Sequence, residues 1–181
     1  MAAARLLAAA ALLACSAAAP ASSAALLQGE RDKAARAALG PEAARAKGEQ
    51  LLAACGRDDA AAALRLIAEG ANPDFVDVGG MSPLIHASRK EALDGVAARL
   101  IAAGAKLDLV DKQGISALQW ACYLEKAASA LLLVEAGAAL NQVAINGKSA
   151  LDEADRKGLA AVAAAIRARG GRTGAELKAH K

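Results

Sequence analysis

Aromatic side chains are almost missing from this chain: one Phe, one Tyr and one Trp, 2% of the sequence. That scarcity excludes a nucleic-acid surface of the kind that stacks bases on rings. It also excludes a core filled by large rings, although hydrophobic residues reach 56%. Alanine supplies close to a third of all positions. Ala has the highest helix propensity and lets backbones approach closely, so the composition favours thin, tightly packed helices. Charge of one sign is missing too: 22 basic against 19 acidic residues leave a net +3. A nucleic-acid binder concentrates Lys and Arg on one face, and nothing here does so. The densest basic stretch, "RARGGRTGAELKAHK" at the C-terminus, has no ring and is expected to be a solvated, flexible tail over 173–181.

Histidine and cysteine are equally sparse. His86 and His180 are the only histidines, and Cys15, Cys55 and Cys122 the only cysteines. No Cys/His cluster has metal-ligand spacing, so neither metal nor cofactor is expected. No G-x-x-x-x-G-K-[ST] phosphate loop is present. Long apolar runs are absent as well. The stretch from Leu6 to Ala19 is fourteen residues long, too short at about 1.5 Å per residue to cross about 30 Å of hydrocarbon.

That stretch has a different use. "MAAARLLAAAALLACSAAAPASSAA" opens with one charge, Arg5, continues apolar, and then turns to small residues, Pro20 and two serines. This is the three-part layout of a secretory signal over 1–24. "LLAC", Leu12 to Cys15, resembles the lipobox of bacterial lipoproteins, which would make Cys15 a lipidated first residue. Cleavage after "APA" or "SSA" further along would instead give a soluble exported protein. Both outcomes place the domain outside the cytoplasm, as a periplasmic protein or a membrane-anchored lipoprotein.

The rest of the chain repeats itself. Gly70, Gly104, Gly137 and Gly170 follow one another at steps of 34, 33 and 33 residues. Gly80, Gly114 and Gly147 keep steps of 34 and 33, as do Leu84, Leu118 and Leu151. The aligned segments are "GMSPLIHAS", "GISALQWAC" and "GKSALDEAD", followed later by "LIAEGANPD", "LIAAGAKLD" and "LLVEAGAALN". A fixed period near this length identifies a stack of supersecondary units. Each glycine such as Gly80 supplies a positive-φ turn; Ser82, Ser116 and Ser149 cap the helix that follows. Pro83 suits the first helical turn. A second helix such as Ala128–Glu135 ends at Gly137. No unit can bury its apolar face alone, so stability must come from stacking.

These residues resemble the ankyrin repeat, whose pattern is G-x-T-P-L-H-x-A-A, a second helix with L-L, and then G-A-D-x-N. The resemblance covers four units over 49–172, at about 49–79, 80–113, 114–146 and 147–172. It implies an all-α solenoid of helix–turn–helix units joined by β-turn or hairpin loops. Asp77 and Asp111 match the aspartate that opens the family's D-x-x-G turn. Serine replaces the family threonine, and Ile85, Gln119 and Asp152 stand where the family has histidine, with His86 one place later. The first unit lacks the turn, as a capping unit would. In the last, polar Asp152, Asp155 and Arg167 suit an exposed C-terminal cap. The 34-residue step implies one extra residue in the inter-helix turn near "KEALDG". Ahead of the repeats, residues 25–48 are polar and helix-prone: either a flexible spacer or an extra helix over the first repeat, with Pro41 against one unbroken helix.

Cys55 and Cys122 occupy the same position two units apart. Stacked helices lie about 8–10 Å from each other, so the two sulfurs are too distant to bridge and should be buried free thiols. The pair Ser82 and His86 invites a catalytic reading, but a serine occupied as a helix cap points back at its own turn. No enzymatic activity is expected. The resemblance instead implies a groove formed by turn tips and first helices. Carried over by position, the tips are Val78, Met81, Lys112, Gln113, Ile115, Ile145 and Lys148. The first helices present His86, Arg89, Lys90, Trp120, Tyr123, Arg156 and Lys157. Trp and Tyr beside Arg have the composition of binding hot spots; half-buried filler is the equal alternative for Trp120. The sequence therefore predicts a monomeric, non-enzymatic module of a bacterial cell envelope that binds a partner protein. It is expected to bind no nucleic acid and to meet a membrane only through Cys15. A secreted effector acting on a host or competitor protein is the alternative.

Overall fold

The computed structural model describes residues 20–179, with side chains from residue 27 onward. Cys15 and most of the signal-like segment lie outside the described residues. Ten helices are described: α1 (Pro20–Leu39), α2 (Pro41–Gly56), α3 (Ala60–Ala68), α4 (Pro83–Ser88), α5 (Asp94–Ala102), α6 (Ala117–Tyr123), α7 (Ala127–Glu135), α8 (Ala150–Arg156), α9 (Ala160–Ala168) and α10 (Gly174–Ala179). The fold is all-α; the described residues add only an isolated bridge between Val110 and Ser116. Inner helices α2, α4, α6 and α8 stack in order, each paired with an outer helix, α3, α5, α7 and α9.

The period seen in the sequence has a packing cause at each landmark. Leu51, Leu84, Leu118 and Leu151 are all buried on the inner helices, and Ile67, Leu100, Leu133 and Ile166 on the outer ones. Between them Ala54, Ala87, Ala121 and Ala154 are fully buried. The serine caps form as expected: Ser82, Ser116 and Ser149 accept from the N–H groups of Ile85, Gln119 and Asp152. Each such cap stabilises its helix by about 1 kcal/mol.

Units are joined by hydrogen bonds that repeat in register. Asp74 Oδ1 accepts from Lys106 N–H at 2.8 Å, Asp108 Oδ1 from Ala139 N–H at 2.7 Å, and Asn141 Oδ1 from Arg172 N–H at 2.9 Å. The last residue of "GANPD", "GAKLD" and "AGAALN" therefore clasps the start of the next loop. A second series lies at the inter-helix turns. Asp58 and Glu125 take the left-handed conformation, with φ of 63° and 62°, where Gly158 has 68°. Their carboxylates pair with Lys90 and Lys157 of the following unit. The one extra residue of the second unit forms a 3-10 turn, Glu91–Leu93, between α4 and α5.

Three sequence expectations change. Residues 25–48 follow the second alternative, an added helix over the first repeat with a break at Pro41, and what changes is the boundary: α1 and α2 meet at Gly40, whose φ of 79° turns the chain, and Pro41 opens α2 as a first-turn residue. The first unit's inner helix thus begins eight residues ahead of position 49. Helix α1 lies on outer helices α3 and α5. There Gly29 comes so close to the Ala102 carbonyl that any side chain would overlap it. Asp32 stands 2.7 Å from Arg99 with only 2% of its side chain exposed. The two groups face each other as charges and are not aligned as a hydrogen bond.

The C-terminal segment is the second correction. Residues 174–179 are helical, because Thr173 and Glu176 form a reciprocal capping pair at 3.3 and 2.8 Å. Asp152 is the third. It is no solvent-facing cap residue: its Oδ2 accepts from Ser149 N–H at 2.7 Å and from Gly174 N–H at 2.6 Å, so it holds α10 against the last repeat. Partial burial raises its carboxyl, but these donors together with the Ser149 hydroxyl bring it below the ordinary aspartate value.

A candidate protein-binding face

Three turns project beside the inner helices, and each is closed locally. Asp77 Oδ1 accepts from Gly79 and Met81 N–H at 2.7 and 2.9 Å. Asp111 Oδ1 does the same for Gln113 and Ile115 at 2.8 and 2.9 Å. The turns also bond to one another: Lys112 N–H donates to Gly79 O and Ile145 N–H to Gln113 O, both at 3.0 Å. The three tips therefore form one rigid edge.

The free oxygen of each turn aspartate faces a particular residue of the inner helix. Asp77 Oδ2 is 3.6 Å from His86 Nε2. Burial pushes the His86 imidazole below its ordinary value, against the pull of Asp77, so it is neutral near pH 7. Asp111 Oδ2 accepts from Trp120 Nε1 at 2.9 Å. In the next unit the aspartate position is Ala144, and the inner-helix position is Glu153. Two carboxylates there would repel, and the small Ala144 avoids it. Glu153, 6% exposed, takes its partners from its own unit: Arg156 Nε donates at 2.8 Å, and Lys148 Nζ stands 3.6 Å away.

Replacing Asp by Ala leaves space. A cavity of about 200 Å³ opens between the second and third turns, walled by Trp120, Tyr123, Ile115, Ala144, Lys148 and Glu153. Trp120 is half-buried and Tyr123 exposed. Their rings meet edge to face at 5.7 Å. The Arg89 guanidinium lies 4.5 Å from the Trp120 ring centre, and that of Arg156 5.4 Å from Tyr123. Trp120 is thus both packed filler and a wall of the opening. Gln119, absent from the sequence-based set, braces the site: its Nε2 donates to Gln142 O and Lys148 O at 3.1 and 3.0 Å.

The sequence-predicted residues separate into two groups. Val78 and Ile145 stand out at 90% and 80% exposure, with Lys112 between them at the tips and Gln113 beside it. Tyr123 and Arg156 are also exposed, while Met81 and Ile115 are half-buried supports. Lys90 and Lys157 are engaged with Asp58 and Glu125 at the inter-helix turns. Glu153 was missed by sequence, although the register of His86 and Trp120 points to it at the next step of 33.

Chemistry of other kinds has little to work with. The Ser82 oxygen accepts from Ile85 N–H at 3.2 Å and serves as a cap. Cys55 and Cys122 are buried free thiols, both pushed up to about 12 by that burial. Among the described residues no group of three or more His, Cys, Asp or Glu side chains is placed to hold a metal ion. No described helix is long and apolar enough to cross a membrane.

Stacked helix pairs with a braced edge of turns define a repeat solenoid. The family model for ankyrin repeats in three copies matches residues 50–144, about half the chain, and the chain belongs to that family. Ankyrin repeats are protein–protein interaction modules, and this chain carries such a module. The fourth unit, α8 and α9, extends the stack beyond the matched residues. A search of curated proteins finds no match.

Proposed function

We propose that this protein is an exported, non-enzymatic binding module of a bacterial cell envelope, and that it holds a partner protein against the turn tips and inner helices around Trp120. One observation carries the location: an exposed apolar tip, Ile145, lies beside an aromatic-walled opening on an edge of bonded turns that also exposes Val78. Large apolar side chains exposed next to Trp, Tyr and Arg are the composition of interface centres. The signal-like first residues support export, and "LLAC" supports attachment through Cys15. The alternative cleavage site at "APA" supports the second reading, release as a secreted effector. Acyl-chain labelling separates the two: label that depends on Cys15 favours the anchored module, and label persisting in Cys15→Ser refutes it.

The binding face is tested by site-specific photo-crosslinking in cells. A crosslinker at Tyr123 or Lys112 should capture a partner that one at Glu135, on outer helix α7, does not. Capture from Glu135 alone would move the interface to the outer side.

A further inference from the structure

The repeat register sorts the exposed and half-buried side chains of this face into two parallel rows. At the tips, one position per unit holds Val78, Lys112 and Ile145 in succession: apolar, cationic, apolar. On the inner helices, another single position holds Arg89, Tyr123 and Arg156: cationic, aromatic, cationic. The two rows are out of phase, so cations and apolar groups alternate both along the stack and across it.

Two carboxylates of the same face are withdrawn, and the third, Asp77, is 33% exposed with its Oδ2 turned to His86. Asp111 is 8% exposed and closes its own turn, and Glu153 is 6% exposed beneath Arg156 and Lys148. Among the described residues neither Arg89 nor Lys112 has an ion-pair partner, and the buried Arg89 Nε has no hydrogen-bond acceptor. Lys112 is exposed and without an ion-pair partner, Arg156 keeps 43% of its side chain exposed while pairing with Glu153, and Arg89 lies half-buried against Trp120, so cations are interleaved with apolar surface on this face although the chain as a whole is nearly balanced at +3.

We propose that the partner presents an acidic segment in which carboxylates alternate with large apolar side chains, laid across the two rows. Its carboxylates meet Lys112, Arg89 and Arg156, and its apolar groups meet Val78, Tyr123 and Ile145. Successive units lie about 8–10 Å apart, which sets the distance between like groups on the partner. Guanidinium–carboxylate contacts fix the register, and the interleaved apolar contacts supply most of the affinity. This inference rests on the binding face proposed above and adds its chemistry.

Trp120 is the chain's single tryptophan, so its emission reports occupancy of this face directly. The test titrates the full chain with synthetic peptides carrying Glu and Leu in every register, against Lys/Leu and Gln/Leu counterparts. Some Glu/Leu registers should shift Trp120 emission, with binding weakened about tenfold or more by Lys112→Glu or by high salt. Thermal melts of Lys112→Glu should match the parent, which separates lost charge from lost fold. Equal or tighter binding of the Lys/Leu or Gln/Leu peptides overturns the proposal, as does a complete absence of Glu/Leu binding. The binding face itself stands or falls separately. If Tyr123 still crosslinks to a partner in cells while the peptides fail, only the acidic chemistry is lost.

Discussion

The outer side of the solenoid is closed where the inner side is open. On the outer side, α1 lies across α3 and α5, Gly29 rests on the Ala102 carbonyl, and Asp32 faces Arg99. Charge and close approach there are answered within the chain. On the inner side the turn aspartates are answered as well, but Val78, Ile145 and Lys112 project with no such partner. The contrast separates residues that hold the stack together from residues available to something else.

That contrast can be broken by substitution. The largest effect should come from the outer side: Asp32→Ala leaves Arg99 unpaired under α1 and should cost about 3 kcal/mol, the lower edge for a broken buried pair. Denaturant unfolding would check it, with partner binding unchanged. A loss confined to the noise would show that α1 is held by packing alone. On the inner side Trp120→Phe keeps a ring but removes the donor to Asp111 Oδ2. The cost should be about 1–2 kcal/mol; full stability would mean that solvent satisfies the oxygen.

The smallest effect concerns His86. Its folded pKa lies below the unfolded value, so the protonated form favours the unfolded chain. Stability from this group is complete above the unfolded value and declines as pH falls through it toward the folded one. His86→Gln should flatten that part of the stability profile, measured by urea unfolding at a series of pH values. An unchanged slope would remove His86 as its source.

Much of the stack could be read from residues alone, because repetition turns single weak signals into aligned ones. A serine before a helix is a modest clue, but Ser82, Ser116 and Ser149 in register with glycines and leucines fix the caps. The extra residue near "KEALDG" was visible for the same reason. What repetition could not disclose lies where the chain departs from it. The helix at residues 174–179 depends on a local Thr173–Glu176 pair and on Asp152, which by pattern alone looked like an exposed polar substitution. Helix α1 has no counterpart among the repeats, so its seat on Ala102 and Arg99 had no aligned signal. The exchange of Asp for Ala144 opposite Glu153 is legible only when turn and helix positions are compared across units, and it creates the opening beside Trp120.

Everything proposed for binding by this protein depends on the inner face being the binding surface. The most direct measurement is the affinity of the captured partner for two single variants, Tyr123→Ala on the inner face and Glu135→Ala on the outer helix α7. Truncating an aromatic at an interface centre costs about 2 kcal/mol or more, so Tyr123→Ala should raise Kd roughly thirtyfold. Glu135→Ala should leave it unchanged. Equal affinities for the two variants, or a loss only with Glu135→Ala, would contradict the claim.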